Sequence, residues 1–297
     1  MKAARLLTLC CALSLLAGCA PPWESRGSSH IVIGAKNFTE QVVLGELLAQ
    51  HIEARTGIKV ERRFYLAGSY ICQQSLQAGR IDGYVEYTGT ALTAILKQPM
   101  DTNAATVRAT TAELYESRYH VRQFPSLGFE NTFAMVVRPE SAAQLSTPKL
   151  SAARGAAAKW KLGVGYEFEQ RPDGLPRLMA IYGIRFDGQP RTMDLGLLYR
   201  ALAANQVDII AANSTDGPIE AMHLTVLADD KDAFPPYEAV PLFREQSLQR
   251  WPQLATAVNE LAGKISADDM RQMNEAVDGE HRPLQDVVRE FRQKRGL

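Results

Sequence analysis

The segment HIVIGAKNFTEQVVLGELLAQHIEARTGIKVERRF, residues 30–64, decides the fold of this chain. Its start, HIVIGAK, is a short apolar run that suits a buried strand, and apolar residues then recur at helical spacing up to Gly57. Asn37 followed by Glu40 predicts a capping box at the start of this helix, and Gly57 stands where a C-terminal cap belongs. Alternation in IKVERRF predicts a second strand, so the segment predicts the order strand, helix, strand.

The same alternation of strands and helices continues on both sides of an irregular middle region. SYICQQSLQAG predicts a short helix and RIDGYVEY a strand, while WKLGVGY and VDIIAAN predict strands in the second half. Strands that alternate with helices are typical of an α/β fold with a mostly parallel sheet. Because 297 residues exceed the usual size of a single core, we expect two lobes.

The last part of the chain is predicted to be mostly helical, from LQRWPQLATAVNELAGKI onward, with Ser266 marking one helix start. These helices are expected to cover the sheet of the first lobe, so the chain must leave that lobe, build the second and return. This order predicts a bilobal α/β clamp with two crossover segments. The predicted first lobe comprises residues 30–130 and 235–297, and the predicted second lobe comprises residues 131–234.

A weak internal echo between the two halves predicts where a ligand would bind. Asp82 and Asp208 each follow a β-branched residue at a strand start, and Tyr87 and Asn213 stand five residues further on, at the carboxyl ends of those strands. In open α/β sheets, ligands collect at the carboxyl ends of strands, where helix N-termini present unpaired amides. Two such edges that face each other would form a binding cleft.

The N-terminal region has the composition of an export signal. Lys2 and Arg5 precede an apolar run that is too short to span a membrane, and LAGC ends residues 1–19. LAGC resembles the lipobox of bacterial lipoproteins, in which the cysteine, here Cys19, is diacylated and becomes the mature N-terminus. Residues 20–29 have the composition of a flexible tether. We expect a periplasmic protein that is anchored to the membrane by lipid; the alternative is a plain signal peptide with an incidental Cys19.

Charge and motifs exclude several classes of protein. Lys+Arg and Asp+Glu balance at 33 each, so no global field attracts nucleic acid. The sequence lacks a G-x-S-x-G elbow, an H-E-x-x-H pair, a paired-cysteine site and a Gly-rich phosphate loop, and its five histidines are scattered. We therefore predict no catalytic residues, no metal and no cofactor, with an exported hydrolase as the minority alternative. Cys72, the one cysteine of the predicted folded part, is expected to be a small buried apolar residue.

Seven segments, in unbroken order from about Ile31 to the C-terminus, resemble the substrate-binding proteins of osmoprotectant ABC transporters, which are receptors for glycine betaine, choline and carnitine. The segments are GAKNFTEQVVLGELLAQ, GRIDGYVEYTGTAL, GFENTFAMVVR, EFEQRPDG, ANSTDGPI, DDKDAFPPYEAVPLFR and MNEAVDGE. The resemblance covers nearly all of the predicted mature chain. It implies a type II periplasmic-binding-protein fold, a monomer, and the transmembrane subunit of an ABC permease as partner.

The chemistry of such a ligand explains the residues that the resemblance assigns to the site. A quaternary ammonium has no N–H to donate, so aromatic faces bind it, each contributing about 0.5 to 2 kcal/mol. The carboxylate of a betaine requires a cation and hydroxyl or backbone donors. By resemblance, the ligand contacts are Tyr87, Phe133, Asn213 and Tyr237 for the cage, Asn131 through its backbone oxygen, and Lys36, Thr90 and Arg171 for the carboxylate clamp. The alternative for Arg171 is an ion pair with Asp173 at a loop surface.

Two cage positions depart from the family pattern, in which tyrosines are usual at the positions of Phe133 and Asn213. Phe133 keeps the ring, but Asn213 supplies none, and losing one face would cost about 0.5 to 2 kcal/mol, or roughly two- to thirtyfold in affinity. The sequence therefore predicts either weak binding of a betaine or another amine or amino-acid-derived ligand, such as choline or carnitine. Tyr70 and Tyr166 are candidates to replace the missing ring.

Overall fold

The structure, a computed structural model, describes residues 29–297. The strands are β1 (His30–Gly34), β2 (Lys59–Arg63), β3 (Gly83–Tyr87), β4 (Val121–Gln123), β5 (Phe133–Val137), β6 (Leu162–Val164), β7 (Arg191–Thr192), β8 (Ile209–Asn213), β9 (Thr225–Leu227) and β10 (Ala239–Arg244). The helices are α1 (Thr39–Thr56), α2 (Ser69–Gln77), α3 (Thr88–Thr90), α4 (Ala104–Tyr119), α5 (Pro139–Ala142), α6 (Leu150–Ala157), α7 (Tyr166–Gln170), α8 (Leu175–Tyr182), α9 (Leu195–Ala203), α10 (Pro218–Ala221), α11 (Glu245–Arg250), α12 (Gln253–Asn259), α13 (Ala267–Asp278) and α14 (Leu284–Arg295). The short helix α3 continues into a π-helical segment, Ala91–Ile95. The predicted signal peptide, the lipidation site Cys19 and residues 20–28 of the predicted tether lie outside the described residues.

The first sheet has the strand order β2-β1-β3-β10-β4. Strand β1 runs parallel to β3, whereas β10, which arrives late in the chain, runs antiparallel to both β3 and β4. The C-terminal helices α12, α13 and α14 pack against α1. The end of the chain therefore returns to the first sheet through β10 and packs its last helices against α1.

The second sheet has the strand order β7-β6-β8-β5-β9. Strand β6 runs parallel to β7 and β8, and β5 runs antiparallel to β8 and β9. The two sheets with their helices form the two α/β lobes that the sequence predicted. We call the elements around the first sheet the first lobe and those around the second sheet the second lobe.

Two crossover segments lie side by side between the lobes. Glu130 and Glu238 form an isolated antiparallel bridge. The amide of Asn131 donates to the carbonyl of Tyr237, and the amide of Ala239 donates to the carbonyl of Phe129, both at 3.1 Å. These contacts tie the outgoing chain to the returning chain, while the lobe boundaries at 130/131 and 234/235 stay a prediction.

Strands β5 and β10 were not predicted from the sequence, because they lack the alternation of apolar and polar residues that is typical of a half-exposed strand. Four of the five residues of β5 and five of the six residues of β10 are buried, so their sequences FAMVV and AVPLFR are almost continuously apolar. Each is the first strand that its lobe receives from a crossover. In the sheets, β10 lies between β3 and β4, and β5 lies between β8 and β9.

The helix ends test the capping predictions. Gly57 adopts φ 71°, the left-handed conformation that favours glycine, and caps α1 as predicted. Ser266 caps α13 in a capping box with Asp269, which confirms the helix start predicted there. The capping box predicted at Asn37 and Glu40 is wrong, because the cap residue of α1 is Phe38 and no side chain caps the helix. Glu40 is instead buried among side-chain donors, which satisfy its carboxylate better than one backbone amide would.

The interior is apolar, as the strand sequences predicted. Ile31 and Ile33 of β1 and Leu44 of α1 are fully buried in the core. Cys72 is also fully buried, and burial raises the pKa of its thiol to about 12, so the prediction of an inert apolar residue agrees with its environment. Within residues 29–297, no helix combines the length and the apolar composition that a membrane span requires.

Candidate ligand-binding site

A cavity of about 410 Å³ is walled by both lobes and by the crossover segments. The structure brings all of the predicted ligand contacts into its lining: Lys36, Tyr87, Thr90, Asn131, Phe133, Arg171, Asn213 and Tyr237. The candidate replacements for the missing ring, Tyr70 and Tyr166, line it too, with 38% and 57% of their surfaces exposed. One continuous hollow thus collects residues that are spread over two hundred positions of the sequence.

The chain topology explains why these residues meet. Tyr87 ends β3 and Asn213 ends β8, as the internal echo predicted. Phe133 begins β5 and pairs in register with Asn213, because β5 and β8 are antiparallel. Asn131 and Tyr237 belong to the two crossover segments. The cavity therefore lies where the carboxyl ends of parallel strands meet the crossovers.

An aromatic cluster forms one wall of the cavity. The ring centroid of Phe133 lies 4.8 Å from that of Phe168, 5.5 Å from that of Tyr237 and 5.6 Å from that of Phe234, all in edge-to-face geometry. Sequence reasoning missed Phe168, although it lies three residues before Arg171, a spacing that places two side chains on one face of a helical turn. The edge-to-face packing holds the ring of Phe133 in place without a ligand.

Arg171 lies against the rings of this cluster. Its guanidinium carbon is 5.0 Å from the ring centroid of Phe133 and 5.9 Å from that of Tyr237. It donates to both carboxylate oxygens of Asp173, at 3.0 and 2.5 Å, and to the hydroxyl of Thr90 at 2.9 Å. The ion pair with Asp173 therefore exists, but both residues are buried and the pair is not at a loop surface.

Burial and charge act in opposite directions on this pair. Burial disfavours the charge on Arg171, but the Asp173 carboxylate outweighs it and raises the pKa of the guanidinium above its ordinary value. Burial likewise opposes ionisation of Asp173, and the Arg171 guanidinium outweighs it, so the pKa of the carboxyl is lowered. The hydroxyl of Tyr237 donates to the same carboxylate at 2.6 Å. Arg171, Asp173 and the cage residue Tyr237 thus form one buried, charged network.

Lys36 has its own carboxylate partner. Its Nζ lies 2.5 Å from Oε1 of Glu86, a fully buried side chain that also accepts from the hydroxyl of Tyr84. The same Nζ lies 4.9 Å from the ring centroid of Tyr87. Both predicted clamp cations are therefore neutralised by a protein carboxylate within the described part of the chain.

Glu167 connects the two lobes at the cavity wall. Its carboxylate accepts from the amide of Ser69 at 2.6 Å and from the Ser69 hydroxyl at 3.0 Å, at the N-terminus of α2. It also accepts from Arg171 at 3.2 Å. Burial opposes its ionisation, but the charges of Lys36 and Arg171 outweigh this and lower the pKa of the carboxyl. Sequence reasoning missed Glu167, whose position four residues before Arg171 was the available signal.

Glu40 joins the cage to both lobes. It accepts from the hydroxyl of Tyr87 at 2.6 Å and from Nδ2 of Asn131 at 2.8 Å, and it also accepts from Thr215 and Asn274. Burial raises the pKa of its carboxyl, although each of these donors lowers it. The tyrosine ring predicted to meet the cation is thus fixed by a carboxyl group that faces neutral donors.

Asn213 is held by the loop that follows it. Its backbone N–H donates to Oδ2 of Asp216 at 3.0 Å, and its side-chain Nδ2 donates to Oδ1 at 3.4 Å. The Oδ2 atom also accepts from the hydroxyl of Tyr199 at 2.8 Å. Burial raises the pKa of Asp216 to about 6. The position opposite Phe133 therefore carries an amide tied to a carboxyl group, with no aromatic face of its own.

Two α/β lobes, two crossovers and an aromatic cavity between them define a bilobal solute-binding protein of type II. The chain belongs to the family described as the substrate-binding domain of ABC-type glycine betaine transport systems, which matches residues 29–294. This family consists of solute-binding receptors and not of enzymes. The resemblance inferred from the seven segments is thereby confirmed.

Relatives of known name agree with this assignment. The chain is 33% identical over 282 residues to the "Carnitine transport binding protein OpuCC" of Listeria monocytogenes, covering 94% of this chain and 91% of that protein. It is 33% identical over 297 residues to the "Glycine-betaine-binding protein" of Pseudomonas aeruginosa, covering 97% of this chain and 93% of that protein. The crystal structure of a glycine betaine/carnitine/choline ABC transporter superposes with a TM-score of 0.75 at 32% identity, over 90% of this chain and 98% of that one.

Proposed function

We propose that this protein captures a quaternary-amine osmoprotectant such as glycine betaine and delivers it to an ABC permease. One observation carries the proposal: the rings of Tyr87, Phe133 and Tyr237 line the same cavity as the cations Lys36 and Arg171. Aromatic faces suit the methylated ammonium, and the cations with the Thr90 hydroxyl suit the carboxylate. The names of the carnitine-binding and glycine-betaine-binding relatives support this ligand class.

The proposed mechanism is closure of the two lobes around the ligand. The ammonium first meets Tyr87 on the first lobe, and closure then adds Phe133, Asn213 and Arg171 from the second. The hydrogen bond of 2.9 Å from Arg171 to Thr90 joins the lobes and so belongs to the closed state. The paired crossovers, with predicted lobe boundaries at 130/131 and 234/235, are the proposed hinge, and the closed receptor is the form that the permease recognises.

Export and lipid anchoring are part of the proposal and rest on the sequence pattern of residues 1–19. A lipid on Cys19, followed by the tether, would hold the receptor at the membrane surface within reach of its permease. The receptor is proposed to act as a monomer, since both walls of the cavity come from one chain.

A second candidate ligand is a cation without a carboxylate, such as choline. The observation that favours it is the position of Glu167, whose charge interacts with both Lys36 and Arg171. The protein thus already places one carboxylate in contact with Arg171 and under the influence of the charge of Lys36, the two cations that a betaine carboxylate would need. Choline would bind the same rings and would leave these ion pairs intact.

Replacement of Arg171 distinguishes the two candidates. We expect Arg171→Ala to weaken glycine betaine about a hundredfold, because charge-assisted hydrogen bonds to the carboxylate contribute about 1.5 to 3 kcal/mol each. Choline, which lacks the carboxylate, should lose far less. Titration calorimetry on wild type and variant measures both ligands, and circular dichroism checks that the variant is folded.

The control for this experiment is Arg177→Ala, because Arg177 belongs to α8 and does not line the cavity. It should leave both affinities at their wild-type values. Equal losses of affinity for glycine betaine and choline in Arg171→Ala would refute the clamp. If the wild-type protein binds choline but not glycine betaine, the second candidate is established.

A further inference from the structure

A second cavity, of about 520 Å³, borders the first. The two cavities share four lining residues, namely Asn37, Phe38, Leu195 and Asn213. Phe38 supplies the one ring of this partition, since the other three side chains are two amides and a leucine. These shared residues, Asn213 among them, separate a ligand held against Tyr87 and Phe133 from the second cavity.

The second cavity differs from the first in charge. Three acidic residues line it, namely Glu40, Asp216 and Asp278. Among its described lining residues, Arg200 alone is a lysine or an arginine. Its walls have no aromatic cluster with a buried guanidinium like that of Phe133 and Arg171. Three carboxyl groups share this lining with one guanidinium and the imidazole of His281, and when the carboxyl groups are ionised their excess favours a cation over an anion.

A buried acceptor in the second cavity lacks a partner. Asn274 is 2% exposed and lines the cavity, and its Nδ2 donates to Glu40 at 3.2 Å and to the carbonyl of Thr215 at 2.9 Å. These two acceptors fix the orientation of the amide, because only the nitrogen can donate. Its Oδ1 is left without a hydrogen bond from any described residue. An unsatisfied buried acceptor costs about 1 to 3 kcal/mol, so a ligand N–H donor would be favoured there.

We propose that the two cavities form one extended site for elongated quaternary amines whose far end carries a second, N–H-bearing cationic group. The methylated ammonium lies against the rings of the first cavity, the chain passes Asn213, and the far ammonium donates to Asn274 and faces Asp278 in the second. This inference rests on the proposed function for the first cavity and adds a subsite to it. The small side chain of Asn213 would then let a longer ligand pass between the cavities, whereas an aromatic ring at this position would close the first cavity.

The test uses three cations that differ in one feature each. Tetramethylammonium occupies the first cavity alone, hexyltrimethylammonium adds an apolar chain, and (5-aminopentyl)trimethylammonium replaces the terminal methyl of that chain by an ammonium. Titration calorimetry on the full chain should find the amino compound bound at least about fivefold more tightly than the hexyl compound. Equal or tighter binding of the hexyl compound would overturn the inference.

A charge variant tests where the far end lies. Asp278→Asn keeps the size of the side chain and can still accept from Thr39, whose hydroxyl donates to Asp278 at 2.6 Å. We expect it to reduce the advantage of the amino compound at least twofold and to leave tetramethylammonium unchanged. Asp268→Asn, at an exposed position of the same helix, makes the same charge change outside both cavities and should alter neither affinity.

The outcomes separate the inference from the function on which it rests. If tetramethylammonium binds but the terminal ammonium adds no affinity, the extended site is refuted and the first cavity stands. If Asp278→Asn weakens the amino compound no more than Asp268→Asn does, the far end does not lie in the second cavity. If none of the three cations binds but glycine betaine does, the extended site is refuted and the proposed function stands, and if glycine betaine does not bind either, both fail.

Discussion

The carboxylates around the two cavities form two groups with different surroundings. In the paired group, Glu86 contacts Lys36, and Asp173 and Glu167 contact Arg171. In the unpaired group, Glu40 and Asp216 accept from hydroxyl and amide donors, and no lysine or arginine of the described chain pairs with them.

One protein thus holds carboxylates in opposite electrostatic states around two adjoining cavities. Nearby cations lower the pKa of Asp173 and Glu167 against the effect of burial, so these carboxylates are ionised at neutral pH. Burial without a cation raises the pKa of Glu40 and Asp216. The paired group provides permanent charge at the ligand, while the unpaired group can hold a proton.

The largest expected effect follows from removing the cation that pairs with one of the paired carboxylates. Lys36→Met would leave Glu86 buried without its cation, which should lower the free energy of unfolding by about 3 to 5 kcal/mol. Urea denaturation measures this change, and Lys159→Met, at an exposed position after α6, is the matched control.

A double variant shows whether the loss comes from the unpaired charge. Adding Glu86→Gln to Lys36→Met removes the uncompensated carboxylate and should recover part of the stability. A loss below about 1 kcal/mol in Lys36→Met would mean that Glu86 does not depend on its cation and that the two groups are not distinct.

The next effect is a pH dependence in the unpaired group. Since the pKa of Asp216 is raised from 3.8 to about 6, the folded state binds the proton more tightly than the unfolded state does. The stabilisation is fully present below pH 3.8 and is lost as the pH rises to about 6, by up to about 3 kcal/mol. Asp216→Asn should remove this part of the slope.

Unfolding free energies of wild type and Asp216→Asn between pH 4 and pH 7 measure the difference. The variant should gain stability relative to wild type as the pH rises, because other carboxylates contribute equally to both proteins. Asp268→Asn, which changes an exposed carboxylate, should give the wild-type slope. If the unfolding free energies of wild type and Asp216→Asn change in parallel with pH, the pKa of Asp216 is not raised by folding.

The smallest effect concerns the ligand preference that Glu167 sets. Glu167→Gln keeps an acceptor for Ser69 but removes a negative charge beside Lys36 and Arg171. The affinity for glycine betaine relative to choline should rise about tenfold, or about 1.4 kcal/mol. Glu169→Gln lies on the same helix outside the lining of the first cavity and is the matched control. An unchanged ratio in calorimetry would show that Glu167 does not compete with the ligand carboxylate.

Much of the fold was predictable from the sequence because local patterns encode local structure. Helical spacing predicted α1, and Gly57 and Ser266 marked helix ends that the structure confirms. Strands β5 and β10 were missed because burial of nearly all their residues removes the alternation that identifies a strand. Asn37 and Glu40 looked like a capping box because the sequence shows spacing but not the direction of a side chain.

The sequence by itself determined the alternation of the predicted strands and helices, the family, and a set of residues that the tertiary structure gathers into one cavity. Only the tertiary structure decided the partner of each charge: Lys36 pairs with Glu86, and Glu40 meets Thr215 and Asn274. The physical reason is that a helix or strand depends on neighbours in the chain, whereas charge pairing, pKa and the joining of two cavities depend on which distant segments meet when the chain folds.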